Sequence, residues 1–450
     1  MCVYDRALGW SAGKREDDLV KTDNSPARGM RDLLPADTAV RDHVLAAITG
    51  VYFQYGYQRI ETPALESIDR LQSGEGGDNE KLIFQVLKRG LPAEVAPGTE
   101  LRDLVDLGLR YDLTVPLTRF YGANQAHLPT PFRSLQVGPV WRGERPAKGR
   151  YRQFHQCDID IIGEPTVLAE AELIEATTHA LDAVGLPDVT VRLSDRRFLA
   201  ALAEAARVPA GQQASFFIIL DKLDKIGWDG VRAELTEAGI PAQAAATALD
   251  MIAAVQGLPG AKIADALSDA VPGMGGDVIA DLAATAACLD RLAATRPLRW
   301  EFDPTLVRGM GYYTGHVFEI VTPSFAGSVA GGGRYDKMIG RWLGRDVPAC
   351  GFSIGFERIT DLLATRPARD AVAVLADADV HPADALAAAR RLREQGHVTE
   401  VIHRSGKLPA QLTRLEGAGF TSFVHLRADQ EAAKAELRPL GRDARADPLG

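Results

Sequence analysis

The segment VWRGERPAKGRYRQFHQCDID, Val140 to Asp160, restricts the possible fold more than any other part of the chain. Two strand-like runs, about Leu135–Glu144 and Arg152–Ile162, flank a loop with Pro146 and Gly149, which predicts a hairpin with a long basic loop. Side chains alternate across a strand, so Phe154, Gln156, Asp158 and Asp160 share one face and Cys157, Ile159 and Ile161 the other. Arg142 and Glu144 likewise face one way on the partner strand. One sheet face is therefore apolar and must be covered, while the opposite face collects a ring, an amide, carboxylates and an arginine. That two-sidedness suits a binding platform. His155, on the packed side, reads as a core histidine.

Any one of these polar residues could belong to an ordinary exposed face with salt bridges. The whole set is harder to explain that way, because other segments supply matching groups. LRYDLTVPLTR places Arg110, Asp112 and Thr114 at alternate positions, which predicts one strand face. VRGMGYYTGHVFE offers Arg308 beside a tyrosine pair, and AGGGRYD puts three glycines before Arg334 and Tyr335, permitting close approach of a ligand. GFSIGFERI reads as strand, turn, then a helix with Glu357 and Arg358 in its first turn. Arginines 142, 308 and 358 drawn to one sheet would repel one another unless an anion lies between them, and guanidinium groups bind phosphate oxygens in bidentate fashion. Asp112 and Asp160 instead suit an ammonium or an imidazole N–H. Arginines on one side and carboxylates on the other suggest joining a nucleotide to an amine-bearing small molecule.

Competing motifs are poor. GxxxxGK[ST] and HExxH are absent, RGMGYYTG is one residue too long for a dinucleotide fingerprint, and the histidines form no metal-ligand spacing. The chain has 450 residues, 46% apolar and 25% charged, as expected of a soluble protein of two or three domains. A net charge of −9 argues against indiscriminate nucleic-acid coating, and residues 371–450 carry 11 basic against 11 acidic side chains, so the excess lies in residues 1–370. No apolar run approaches the roughly 20 residues of a membrane span, and the N-terminal segment lacks a hydrophobic signal core. Cys2, Cys157, Cys288 and Cys350 show no CxxC pairing, so neither disulfides nor a zinc knuckle is expected. A cytoplasmic location follows as the expectation.

Along the chain, residues 1–27 read as a polar tail and residues 28–189 as a mixed helix–strand region. VRDHVLAAITGVYFQYGY predicts an amphipathic helix ending near Gly56, and QRIETPALES a strand broken at Pro63. Residues 190–298 turn alanine- and leucine-rich, as expected of a helical insertion. Strand character returns over residues 299–366, and TRPARD reads as a linker. In residues 371–450, AVAVLA, VTEVI and SFVHL predict short buried strands between helices, a small α/β module with a mostly parallel sheet. Ala385, Leu386, Ala389 and Leu392 are expected to form the buried stripe of its first helix, with Gly396 as the stop.

GMRDLLP, LRYDLTVP, WRGERPAKGRYRQFHQCDID, LVRGMGYYTG, GGGRYD and GFSIGFERI, in this order and spacing, closely resemble the blocks of the histidyl-tRNA synthetase family, class II aminoacyl-tRNA synthetases. The resemblance runs from about Arg28 to about Leu440. It implies an α+β class II synthetase catalytic domain built on an antiparallel sheet, with a helical insertion and a C-terminal α/β anticodon-binding domain. It implies a histidine–tRNA ligase that activates histidine with ATP and transfers it to tRNA(His), with Mg²⁺ accompanying ATP mainly through phosphate oxygens. No tightly bound metal, no DNA and no membrane are implied, and the resemblance implies a homodimer through GMRDLLP and the following helix.

Carried over by position, Arg142 would hold the histidine carboxylate and the ATP α-phosphate, and Arg308 would be the catalytic arginine at that phosphate. Glu144 would contact adenine, Phe154 would stack on it, and Arg358 would lie near the γ-phosphate. Asp112, Thr114 and Gln156, with Leu113 between the first two, would hold the α-amino group. Asp160, Tyr313 and Tyr335, with Tyr312 beside them, would recognise the imidazole. The loop Arg145–Arg150, Arg150 included, would meet the β,γ-phosphates and the tRNA acceptor end. The chain departs from the pattern at Gly311, where many members are acidic, and at Asp112 and Asp160, which replace glutamates of some members. The C-terminal strands are expected to be abbreviated. Two other readings stand beside this one: a non-catalytic regulatory or histidine-sensing paralogue, and an adenylating enzyme that does not act on tRNA.

Overall fold

The computed structural model describes residues 24–72, 77–92, 95–147, 149–307, 311–363, 371–429 and 436–440. The chain divides into two units, Met1–Ala364 and Thr365–Gly450. Among the described residues no helix is long and apolar enough to cross a membrane.

The first unit is organised by an eight-stranded sheet. In chain order the strands are β1 (Gln58–Arg59), then β2 (Leu65–Ser67), β3 (Gln85–Leu87) and β4 (Val105–Leu109), which form a separate small sheet. They continue as β5 (Phe132–Trp141), β6 (Gln153–Ile162), β7 (Thr190–Asp195), β8 (Arg299–Phe302), β9 (His316–Thr322), β10 (Phe325–Arg334) and β11 (Ala349–Gly355). The large sheet has the order β1-β5-β6-β11-β10-β9-β7-β8, antiparallel throughout except for parallel pairs at its two edges. The expected hairpin is β5–β6, in register from Phe132 opposite Ile162 to Trp141 opposite Gln153.

The apolar face of β6 is covered as its alternation requires. Cys157, Ile159 and Ile161 are buried with Val44, Ile48 and Tyr52 of the helix Pro35–Gln54 and with Leu173 and Ile174 of the helix Leu168–Ala183. The first of these helices buries Val40, Val44, Ile48, Val51 and Tyr52 at helical spacing and ends before Gly56, whose φ of +80° takes the left-handed conformation a side chain resists. The break at Pro63 is real: β1 and β2, on either side of it, belong to different sheets.

Two expectations are corrected here. The helical insertion does not begin at residue 190, because Thr190–Asp195 is β7 of the large sheet, with Val191 and Leu193 fully buried. The strand is a short alternating run whose signal the alanine-rich sequence after it masks. Helices then run from Arg196 to Ala293, the first capped by the Asp195 carboxylate, which accepts from Arg197 N at 2.7 Å. Phe198, Leu235, Leu249 and Leu289 of this region share one continuous core with the sheet. The second correction concerns Arg110–Leu113: β4 stops at Leu109 and a helix starts at Thr114, so Arg110, Asp112 and Thr114 are not on a strand face.

The second unit is the expected α/β module. Strands β12 (Ala371–Ala376), β13 (Val398–His403) and β14 (Ser422–Leu426) are parallel in the order β13-β12-β14, and β15 (Arg438–Pro439) adds an antiparallel edge. Every residue of β12 is buried, as in a central parallel strand covered on both faces. The helix Pro382–Glu394 buries Ala385, Ala388, Ala389 and Leu392, whereas Leu386 is 52% exposed, so the stripe runs through Ala388 rather than Leu386. Gly396 stops that helix with φ +92°.

A buried ion pair ties the sheet to its covering helix. Arg334 of β10 donates to Glu170 through Nε at 2.6 Å and Nη2 at 2.8 Å, and His316 Nδ1 lies 3.5 Å from the same carboxylate. Burial alone would raise the Glu170 pKa, but hydrogen bonds and charge from His316 and Arg334 bring it down to about 2. A depressed carboxyl contributes stability that is complete above its ordinary pKa of 4.5 and fades as pH falls toward about 2. Arg334→Met should therefore cost about 3–5 kcal/mol at neutral pH by leaving a buried charge unpaired. In denaturant titrations across pH, the gap between wild type and variant should close between about pH 4.5 and 2.

Candidate active site

Opposite the covered face of the sheet lies a cavity of about 500 Å³, large enough for a small-molecule complex. Its lining includes Phe154, Gln156, Asp158 and Asp160 of β6, in the alternation read from the sequence. Thr114, Arg142, Glu144, Arg150, Tyr312, Tyr313, Tyr335 and Arg358 also line it. Of the other candidate residues, Asp112 and Leu113 are buried beside the cavity without lining it. Arg308 lies outside the described residues, as do Lys148 of the basic loop, residues 1–23 of the tail and residues 441–450.

The connector Arg110–Leu113 is held against β5 by backbone and side-chain bonds. Arg110 donates to Thr62 O at 2.7 Å and Pro139 O at 3.0 Å, and Gln136 Nε2 donates to Leu113 O at 3.0 Å. Gly138 makes room for this crossing, since a Cβ there would stand 2.5 Å from Arg110 Nη2. Arg110 and Leu113 are thus supports. Asp112 caps the helix Thr114–Asn124, with Oδ1 accepting from Val115 N at 3.0 Å. Arg142 is fixed by Nε donating to Tyr111 O at 3.0 Å, and its guanidinium stands 5.1 Å from the Phe154 ring.

Acidity is concentrated at one end. Burial pushes Asp112 up to about 6, against the Val115 amide that opposes it. Burial pushes Asp160 up to about 7, partly offset by the Tyr335 hydroxyl, which donates to its Oδ1 at 2.6 Å. Asp158 is raised well above the usual carboxylate range by burial and by the neighbouring Asp160. Tyr312 stands between the other two tyrosines, with ring centres 4.8 Å from Tyr313 and 5.9 Å from Tyr335. The glycines serve this packing as much as any ligand: a Cβ on Gly351 would lie 2.0 Å from Asp160 Oδ1, and one on Gly332 2.0 Å from Gly351 O.

At the other end the groups suit a nucleotide. Phe154 offers a ring face, and Glu144 lies 3.4 Å from Arg150. Arg358 Nη1 donates to Ser328 O, with its guanidinium 5.6 Å from the Phe325 ring. Glu357 is gripped by Arg31, by Arg41 at 2.6 and 2.9 Å, and by the His155 amide at 3.1 Å. Burial would raise the Glu357 pKa, but the bonds to Arg41 bring it below its ordinary value. The segment before the first helix reaches the basic loop: Arg152 N donates to Gly29 O at 2.8 Å and Arg31 Nη1 to the Tyr151 hydroxyl at 3.0 Å. Gly29 has φ +81° and no space for a Cβ, which would stand 2.7 Å from Pro146 Cγ.

Sequence reasoning gave no site role to Asp158, Tyr151, Ser353 or Glu357 and read His155 as a core residue, yet all five line the cavity. Asp158 was legible from its alternate position on β6. Ser353 follows only from register, opposite Asp158 on β11. His155 is half-buried and bonds Arg41 at 3.0 Å rather than sitting in the core.

The sequence model of the family described as histidyl-tRNA synthetase matches residues 29–359. A histidine–tRNA ligase of Leifsonia xyli subsp. xyli is 48% identical over 428 residues, covering 92% of this chain and 98% of that one. The crystal structure of histidyl-tRNA synthetase from Nostoc sp. PCC 7120 superposes with a TM-score of 0.76 at 27% identity, covering 93% of this chain and 95% of the other. A structure titled an ATP phosphoribosyltransferase regulatory subunit/histidyl-tRNA synthetase from Bacillus halodurans C, at 20% identity and TM-score 0.73, covers 91% of this chain and 99% of that one and shares the fold. An antiparallel sheet carrying a cleft of arginines and buried carboxyls, with these relatives, defines an enzyme of the aminoacyl-tRNA ligase class. Within that class the chain belongs to the histidyl-tRNA synthetase family.

The Tyr335 hydroxyl stabilises the ionised form of Asp160, so Tyr335→Phe should raise the Asp160 pKa above about 7. Loss of one hydrogen bond to a charged group predicts about one to two pH units. Carboxyl ¹³C titration with aspartate labelling, using Asp160→Asn for assignment, reads the shift.

Proposed function

We propose that this cavity activates histidine with ATP, forming histidyl-adenylate and pyrophosphate, and then passes histidine to the terminal ribose of tRNA(His). The observation that carries this reading is the division of the cavity into a carboxyl-and-tyrosine end and a ring-and-arginine end, with Arg142 between Phe154 and the aspartates. In this reading the catalytic domain is of class II. Asp112, Thr114 and Gln156 hold the α-amino group, Leu113 fixes their connector, and Asp160, Tyr312, Tyr313 and Tyr335 read the imidazole. Phe154 stacks on adenine, Glu144 contacts it, and Arg150 and Arg358 meet the outer phosphates.

The chemical step is one of positioning and charge. The histidine carboxylate attacks the α-phosphorus, the bond to pyrophosphate breaks, and the pentavalent arrangement between them carries extra negative charge. Arg142, held by Tyr111 O, would stabilise that charge without reorganising, and Arg308 would share that role at the α-phosphate. Mg²⁺ would arrive with ATP on phosphate oxygens, since the carboxylates at that end, Glu144 and Glu357, are engaged by Arg150, Arg31 and Arg41. The second unit would read the anticodon. A homodimer through Gly29–Pro35 and the helix after it would cover Leu34 and Phe53, which are 68% and 52% exposed. A cytoplasmic location is consistent with these substrates.

The retained arginine and tyrosine blocks and the α/β module favour this over a regulatory paralogue. The test is ATP–pyrophosphate exchange with each amino acid in turn, followed by charging of tRNA. Exchange with histidine alone, and charging, is the expected result; no exchange would overturn the reading. Arg308→Ala should nearly abolish exchange while histidine binding stays measurable. Asp160→Ala should instead raise the histidine KM with a small effect on the ATP KM.

A further inference from the structure

Among the described residues, the buried side-chain atoms without a hydrogen-bond partner include three acceptors at one place: Asp112 Oδ2, Gln156 Oε1 and Asp158 Oδ1. Gln156 and Asp158 line the cavity, and Asp112 is close enough behind them to act on the charge of Asp158. An unmet buried acceptor is costly, more so when it belongs to a carboxylate, so three together call for a donor from outside the protein.

The neighbours of Asp158 leave its Oδ1 unmet. Across the ladder on one side is Gln136, whose Nε2 donates to Leu113 O and whose Oε1 accepts from Thr62 at 3.2 Å. On the other side is Ser353, whose hydroxyl hydrogen-bonds the Asp158 carboxyl and accepts from Gln156 Nε2 at 3.1 Å. Oδ2 is met by Gln156 Nε2 at 3.5 Å, and Oδ1 is left open. An ammonium group has three N–H donors and no acceptor, matching three open acceptors.

Position along the substrate points the same way. Arg142, which would take the histidine carboxylate, acts electrostatically on Asp158, and Asp160 beyond it is already bonded by Tyr335 among the tyrosine rings. In an α-amino acid the ammonium stands next to the carboxylate and before the ring. Asp158 occupies that middle place on β6.

We propose that Asp158 is a direct ligand of the substrate's α-ammonium, sharing it with Gln156 and Asp112 and leaving Asp160 to the ring. The proposal rests on histidine being the substrate. It makes Asp158 a specificity residue that demands a free amino group.

The test uses three ligands of the full-length enzyme: histidine, histidinol, which keeps the ammonium but lacks the carboxylate, and imidazolepropionate, which lacks the ammonium. For Asp158→Asn, the histidine KM in pyrophosphate exchange and the histidinol inhibition constant should both rise about 10- to 100-fold, the loss of one charge-assisted hydrogen bond. Inhibition by imidazolepropionate and the ATP KM should not change. An unchanged histidine KM, or equal weakening of all three ligands, would overturn the assignment, the second result meaning that Asp158 only shapes the pocket or touches the ring. If the wild-type enzyme fails to exchange with histidine, the substrate reading falls instead. Should Asp158→Asn fold poorly by circular dichroism, Asp158→Ser carries the same comparison.

Discussion

Strand β6 runs through the middle of an antiparallel sheet, and its ten residues have to serve two environments at a spacing they cannot change. Every odd position from Cys157 to Ile161 enters the core formed with the helices Pro35–Gln54 and Leu168–Ala183. Every even position from Phe154 to Asp160 faces the cavity. A shift of one residue in register would exchange the two sets, burying carboxylates in the core and placing isoleucines in the site. The pairings to β5 and β11 prevent it, and with it they fix which groups stand opposite Asp158 and Asp160. The chemistry therefore inherits its precision from the core.

The opposite face works by withholding water. Asp112, Asp158 and Asp160 are all raised by burial, in an arrangement whose energy is poor without a cationic partner. The protein supplies Arg142 nearby but anchors it on a backbone carbonyl, directing it toward the boundary between the two ends of the cavity. By contrast the structural ion pairs, Arg334 with Glu170 and Arg41 with Glu357, are closed: each carboxylate is met by several donors. The difference between closed and open carboxylates separates scaffold from site more sharply than burial does, because both kinds are buried.

Much of this was legible in the sequence where alternation or a known block stood alone. The β5–β6 hairpin, the helix ending at Gly56, the parallel strands of the second unit and the face shared by Gln156 and Asp160 all follow from local pattern. What was missed follows from register and tertiary contact. Ser353 gains a place only because it lies opposite Asp158, and His155 leaves the core only because Arg41 reaches it from another element. Arg110 to Leu113 alternate like a strand, yet they cross β5 as a connector whose shape depends on the missing Cβ of Gly138. The six residues of β7 were submerged in an alanine-rich composition that describes their successors. Leu386 satisfies helical periodicity and is nevertheless exposed, since alanines at 385, 388 and 389 let the helix sit close to its sheet.

The clasp between Gly29–Arg31 and the root of the basic loop has a consequence for how this chain can be recombined with its relatives. Gly29 fits against Pro146 and Arg152, and Arg31 spans Tyr151 and Glu357, so three segments far apart in sequence share one shape. None of the three is a portable module. A loop transplanted from another family member would carry its substrate contacts but arrive without the surface its base was moulded to. Chimeras that exchange the loop alone would inherit a mismatch at its hinge, whereas exchanging the clasp and loop together would preserve the fit.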